Sequence, residues 1–204
     1  MIAPPEVPLF AAVDALPEFA LSAGSPVGAD FLRRGVADFR AAAAYVHALP
    51  YGRNSDRADP ACVLREGCGT CSTKHALLAR LASEHGQSMD LAVGVYEMTE
   101  ANTPGVGAVL HRHALHGIPE AHCYLVSRGV RVDVTRAGAD AAEPIARFIH
   151  EETISPEQIG EHKLRIHRET MQRWLDSGDA GRPMDLATAW RIREDCIAAL
   201  SEEG

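Results

Sequence analysis

Residues 67–86 read GCGTCSTKHALLARLASEHG, and the fold turns on what the first five of them do. Thr70 is a residue type whose side-chain oxygen accepts from a free N–H of a helix's first turn. Leu77, Leu78 and Leu81 follow at helical spacing, and Gly86 stands where a left-handed C-cap belongs. The pattern predicts a helix over residues 70–85, with Cys71 at its first position and Cys68 just outside. Four readings suit such a pair: a dithiol redox couple, half of a zinc site, one nucleophilic thiol beside a bystander, or two small buried hydrophobes.

The rest of the chain weighs on these readings. It has 204 residues, 46% of them hydrophobic, which is enough for one sizeable core and suggests a single domain over residues 1–204. The net charge of −8 argues against a nucleic-acid binder, which shows a basic face. Lys163, Arg165, Arg168 and Arg173 form a local basic run, but Glu161 and Glu169 interrupt it, and a solvated helix face is the expectation. Glu6, Asp14 and Glu18 break the apolar run of the first residues, so they do not read as a signal peptide. No stretch reaches the ~18 uninterrupted apolar residues of a membrane span. A cytoplasmic chain with reduced thiols is expected, since its five cysteines are odd in number and scattered.

Residues 1–27 are proline-rich and read as an arm or loosely packed entry. Residues 30–48 read as one helix capped by Asp30, with Phe31, Val36, Phe39, Ala43 and Val46 sharing a face. Residues 50–69 read as an ordered loop. Residues 90–98 (DLAVGVYEM) read as a buried strand, residues 99–120 as a long connection, and residues 121–135 (AHCYLVSRGVRVDVT) as a β-hairpin. Ser155, Pro156 and Gln158 form a capping box opening a helix, with Ile159, Ile166, Met171 and Trp174 inward and Gly178 at its end. A last helix is capped by Asp185. The core thus spans about residues 28–136, and a helical extension about 150–204.

A thioredoxin-like dithiol needs a buried apolar strand directly before the C-x-x-C, and DPACVLREG is polar and broken. A zinc site needs four ligands, and only His111, His113 and His116 offer a complement to the cysteines; in a polar loop these are more often solvated. The nucleophile reading asks for a thiol at a helix N-terminus, a histidine to hold it as an ion pair, and a third group to orient that histidine. Cys71 meets the first condition and Cys68, outside the dipole's strongest field, does not. Gly67 and Gly69 would let the backbone bend and leave room for a substrate carbonyl. In the hairpin, a turn at Ser127–Arg128 sets His122 opposite Asp133, and a turn at Arg128–Gly129 sets them on a diagonal. Either register leaves both on one face, with the valines, Cys123 and Leu125 on the other.

Cysteine at a helix start, histidine on a strand and aspartate on the adjacent strand, in that order, resembles the transglutaminase-like superfamily of cysteine enzymes. The matching stretches are GTCSTKHALLARLASEHG, AHCYL and VDVT, within residues 65–136. Asp133-Val134-Thr135 stands in the place of the family's DPT-like stretch, and Tyr124 follows the histidine at one remove. The resemblance implies an α+β, cysteine-proteinase-like core, a catalytic helix packed on an antiparallel sheet, with two C-terminal helices added. It implies a thiol acyl-transfer enzyme with Cys71, His122 and Asp133 as its triad, acting on a peptide or small amide without cofactor or metal. Hydrolysis and amine transfer are equally compatible with it. The Cys71 backbone N–H and one further donor would meet the oxyanion, and Arg53, Asn54 and Ser55 are candidates for the second. The rival class is a transglutaminase-like scaffold that binds partners without catalysis.

Overall fold

The helix that begins at Cys71 is the element around which the others assemble. In this computed structural model, which describes residues 15–135, 145 and 147–202, it spans Cys71–Glu84 and is the fourth helix, α4. Thr70 caps it reciprocally with Thr73: the Thr70 hydroxyl accepts from the Thr73 N–H, and the Thr73 hydroxyl accepts from the Thr70 N–H. Gly86 follows at φ 65°. Unlike a surface helix, α4 is buried on almost every side, Lys74 and His75 included.

Three short helices precede it: α1 (Pro26–Leu32), α2 (Phe39–Ala48) and α3 (Cys62–Glu66). The single helix expected over residues 30–48 is therefore two. Gly35 turns the chain at φ 77° between them, and Ser25 and Asp38, rather than Asp30, cap them. The apolar face was read correctly across the break, for Phe31, Val36, Phe39, Ala43 and Val46 are all buried. The loop expected over residues 50–69 contains α3, whose C-cap is Gly67 at φ 67°. The expected N-terminal arm is packed where it is described, since Leu16, Leu21 and Val27 join the core; residues 1–14 lie outside the described residues.

The described sheet has four antiparallel strands in the order β3-β2-β1-β4. Strand β1 (Asp90–Met98) is as expected. Strand β2 (Ile118–Ser127) starts three residues earlier than the hairpin reading placed it, and β3 is Val130–Val132. The edge strand β4 (His150–Ile154), which pairs with β1, was not anticipated. It is short and all but Ile154 of it is polar, so it carries no apolar alternation. The long connection before β2 includes a further helix, α5 (Gly107–Arg112). The chain then closes with α6 (Glu161–Asp176) and α7 (Leu186–Glu202). The capping box at Ser155 opens a separate 3-10 turn, Pro156–Gln158, and α6 begins only after Gly160.

The sheet separates two apolar layers. Leu91, Val93, Val95, Cys123 and Leu125 pack on one side with Leu77, Leu78 and Leu81 of α4. Tyr96, Met98 and Ile118 pack on the other with Leu110 of α5, Met171 and Trp174 of α6 and Ile192 of α7. Residues of alternating parity on each strand supply the two layers, as the pleat requires. Ile159, Ile166, Met171 and Trp174 are buried as expected. Among the described residues, no helix is long and apolar enough to cross a membrane.

Candidate functional site

The β2–β3 hairpin pairs Ser127 with Val130, Val126 with Arg131 and Leu125 with Val132. Its two-residue turn is Arg128–Gly129, both at positive φ, the backbone that matches the twist of a tight hairpin. This is the second of the two registers anticipated, and it sets Asp133 diagonal to His122 on one face. Strand β3 stops at Val132. Beyond it, residues 133–135 leave β2, and the N-terminus of α4 meets both.

Two buried polar residues of α4 hold that junction. Lys74 donates to the carbonyls of Leu49 at 2.6 Å and Thr135 at 2.8 Å. His75 donates through Nδ1 to the Cys71 carbonyl at 2.7 Å and accepts through Nε2 from the Val134 N–H at 2.8 Å. A carbonyl only accepts and an amide N–H only donates, so His75 is the neutral Nδ1–H tautomer. Burial keeps it neutral, with its pKa lowered to about 4 although Asp133 favours its charge.

Cys71, His122 and Asp133 come together at this junction. His122 Nε2 donates to Asp133 Oδ2 at 2.8 Å. The other Asp133 oxygen accepts from the Thr135 N–H at 2.8 Å and the Thr135 hydroxyl at 2.5 Å. Burial opposes the aspartate's charge, but the imidazolium of His122 overrides it and holds the carboxyl well below its usual range. With Nε2 engaged by Asp133, Nδ1 is the ring nitrogen left to act on Cys71. Burial likewise works against the His122 charge, and Asp133 and then the Cys71 thiolate raise its pKa well above the ordinary value. The ring lies 20° from parallel with Tyr124 and meets Tyr96 edge-on.

For the Cys71 thiol, burial pushes the pKa up, while Lys163 and then His122 pull it down, to about 6. The Cys123 backbone N–H also favours the thiolate. Cys71 has the position at the helix start that its Thr70 cap predicted, whereas Cys68 lies outside, its carbonyl accepting from Asn54 at 3.0 Å. All five cysteines are free thiols.

The surroundings of the thiol depart from expectation in two places. Lys163 is not on a solvated face: its ammonium donates to Ser72 Oγ at 2.6 Å and lies 3.7 Å from Cys71 Sγ. Helix α6 crosses the sheet beside the α4 N-terminus, a placement that charge patterning cannot reveal. The side chains of Arg53, Asn54 and Ser55 are all engaged elsewhere. Arg53 pairs with Glu194 at 2.6 Å, Ser55 donates to Glu66 at 2.5 Å, and the Asn54 amide spans Glu66, Cys68 and Thr73. Of the flanking glycines, Gly67 makes the expected bend at φ 67°. Gly67 caps α3, and a Cβ on Gly69 would lie 2.9 Å from both Lys74 and Val63.

The C-terminal helices add a second charged group behind the site. Glu120 on β2 is buried and accepts from Arg193 of α7 at 2.5 and 2.7 Å. Burial would raise its pKa, but the guanidinium lowers it to about 2. His167 of α6 hydrogen-bonds the Pro119 carbonyl at 2.8 Å. His111 and His113 lie at the end of α5 and His116 just beyond it. Among the described residues no group of three or more His, Cys, Asp or Glu side chains is arranged to hold a metal ion.

Lys74, His75, Lys163 and the Glu120–Arg193 pair were missed by sequence reasoning. For the first two a clue existed: Lys74 and His75 lie three and four residues after Cys71, on its side of the helix. For the others there was none. Compared with known proteins, the chain matches no family model, no curated protein and no solved structure.

Proposed function

We propose that this protein is a thiol acyl-transfer enzyme of transglutaminase-like type acting on a peptide or small amide. The observation that carries this reading is a thiol at a helix start that shares a buried junction with an imidazole whose Nε2 donates to a carboxylate at 2.8 Å, the thiol's pKa being lowered by that imidazole and by Lys163. Each member has its work. The Cys71 thiolate attacks the acyl carbon, forming the C–S bond as the carbonyl π pair moves to oxygen. The Cys71 backbone N–H, unpaired because it opens the helix, donates to that oxygen. Collapse restores the carbonyl and breaks the C–N bond, and the His122 imidazolium gives its Nδ1 proton to the departing amine. Asp133 keeps the remaining N–H on Nε2 and stabilises the ring when charged. The thioester then passes its acyl group to water or an amine, whose proton returns to His122. This chemistry requires no metal or cofactor.

The test is capture of the acyl-enzyme from a pool of peptides and small amides. Acid-quenched protein should carry an acyl mass on Cys71 that neutral hydroxylamine removes, and Cys71→Ala should carry none. A full pool with no Cys71 adduct above the Cys71→Ala background would reject the reading in favour of a binding scaffold.

A further inference from the structure

Lys163 stands apart from the other buried or half-buried cations of the described residues. Arg193 has a bidentate carboxylate and Lys74 has two backbone carbonyls. Lys163 has the Ser72 hydroxyl at 2.6 Å and the Cys71 sulfur at 3.7 Å, with no carboxylate of the described residues in ion-pair range. Glu120, which also bears on it electrostatically, is already engaged by Arg193. An ammonium removed from water without a carboxylate partner is costly unless its charge is used; the Cys71 thiolate is one such use, and negative charge forming beside the sulfur would be another. It also offers three donors, of which these contacts engage at most two.

Acyl transfer at Cys71 creates such a use. The tetrahedral intermediate carries its negative oxygen on the carbon bonded to Sγ, so that oxygen is two bonds from the sulfur. An ammonium 3.7 Å from the sulfur is within reach of it at the about 2.7–3.1 Å required of an oxyanion donor. The Cys71 N–H supplies one donor, and Arg53, Asn54 and Ser55 are spent on Glu194 and Glu66 and on the loop they hold. We propose that Lys163 is a catalytic residue: the second oxyanion donor, delivered to the α4 N-terminus by the C-terminal helix α6. This rests on the acyl-transfer reading. The lysine donates a hydrogen bond and keeps its proton. The electron pair that moves onto oxygen in the attack returns to re-form the carbonyl as the leaving group departs.

The experiment compares two reactions of the same thiol. Iodoacetamide alkylates Cys71 by direct displacement and builds no oxyanion. p-Nitrophenyl acetate acylates it through a tetrahedral oxyanion, releasing p-nitrophenolate in a burst. Both rate constants are measured on the plateau above each variant's own thiol inflection, so that thiolate content cancels, with Cys71→Ala as background. For Lys163→Met the acylation constant should fall about 10²–10³-fold, the cost of an oxyanion donor, while alkylation stays within about threefold. Equal falls in both would overturn the proposal and leave Lys163 as a group that only sets the thiolate charge. If Lys163→Met does not fold, Lys163→Gln, which keeps N–H donors without charge, should lower the acylation-to-alkylation ratio at least about tenfold; an unchanged ratio is equally fatal. A wild-type protein with no burst above Cys71→Ala would bring down the acyl-transfer reading and this proposal together. That outcome is distinct from a wild-type burst that the Lys163 variants alter no more than alkylation.

Discussion

Replacing Asp133 by Asn tests the orientation of His122 with minimal change of shape. The Asn carbonyl can keep the two hydrogen bonds from Thr135, which turns its NH2 toward His122. An NH2 group only donates, so Nε2 must become an acceptor and the ring proton moves to Nδ1. The residue that favoured the imidazolium most strongly is gone, and His122, whose burial favours the neutral form, loses its charge near neutral pH. Cys71 then keeps Lys163 as its sole cationic neighbour, and its pKa rises from about 6 toward the free value. At pH 7 a thiol of pKa about 6 is about nine-tenths thiolate, and one at the free value of about 8.5 is about 3% thiolate. A rise to the free value would slow iodoacetamide labelling at pH 7 about 30-fold; burial of the thiol adds to that fall and Lys163 reduces it. Turnover on a captured substrate should fall further, to about 10⁻⁴ of wild type, because the tautomer is wrong for proton delivery. The assay is the pH dependence of Cys71 alkylation read by peptide mass spectrometry, with ring tautomers followed by ¹⁵N NMR. An inflection that stays at about 6 together with unchanged turnover would refute the argument, for His122 would then be oriented by something other than Asp133.

Substoichiometric alkylation at pH 6 should label Cys71 ahead of Cys68; preferential labelling of Cys68 would revive the dithiol reading. Arg193→Met leaves Glu120 buried without its partner and should lower stability by about 3–5 kcal/mol in urea titrations, whereas Arg193→Met with Glu120→Met should recover most of it. The pH dependence has a definite sign. In the wild type the folded pKa of about 2 lies below the ordinary 4.5, so the pair stabilises above about pH 4.5 and this is lost as pH falls toward 2. In Arg193→Met burial raises the Glu120 pKa instead, and acidification should partly restore stability. Gly94→Ala would drive a Cβ into the Phe148 ring that stacks on Tyr124, and should cost about 1–3 kcal/mol by the same measurement.

Sequence alone settled what depends on a few neighbouring residues. Thr70 before Cys71 and Gly86 after the leucines delimited α4, because caps are satisfied within one turn of chain. Alternation in residues 121–135 put His122 and Asp133 on one face in either register, because side chains repeat every two residues. Local spacing also found β1, the Asp185 cap and the inward face of α6. It failed where a left-handed glycine divides an apolar face that stays continuous in space, as at Gly35 between α1 and α2. It failed again at β4, whose mostly polar residues find their reason only in pairing with β1. The surroundings of the thiol were the least legible. Lys163 follows Cys71 by 92 residues, and nothing in its own helix distinguishes it from the exposed Arg165. Only the crossing of α6 over the sheet brings its ammonium to the sulfur, and only the docking of α7 gives Glu120 its guanidinium. Tertiary structure decided these contacts because desolvation and Coulomb attraction act through space, between groups whose separation along the chain carries no trace of them.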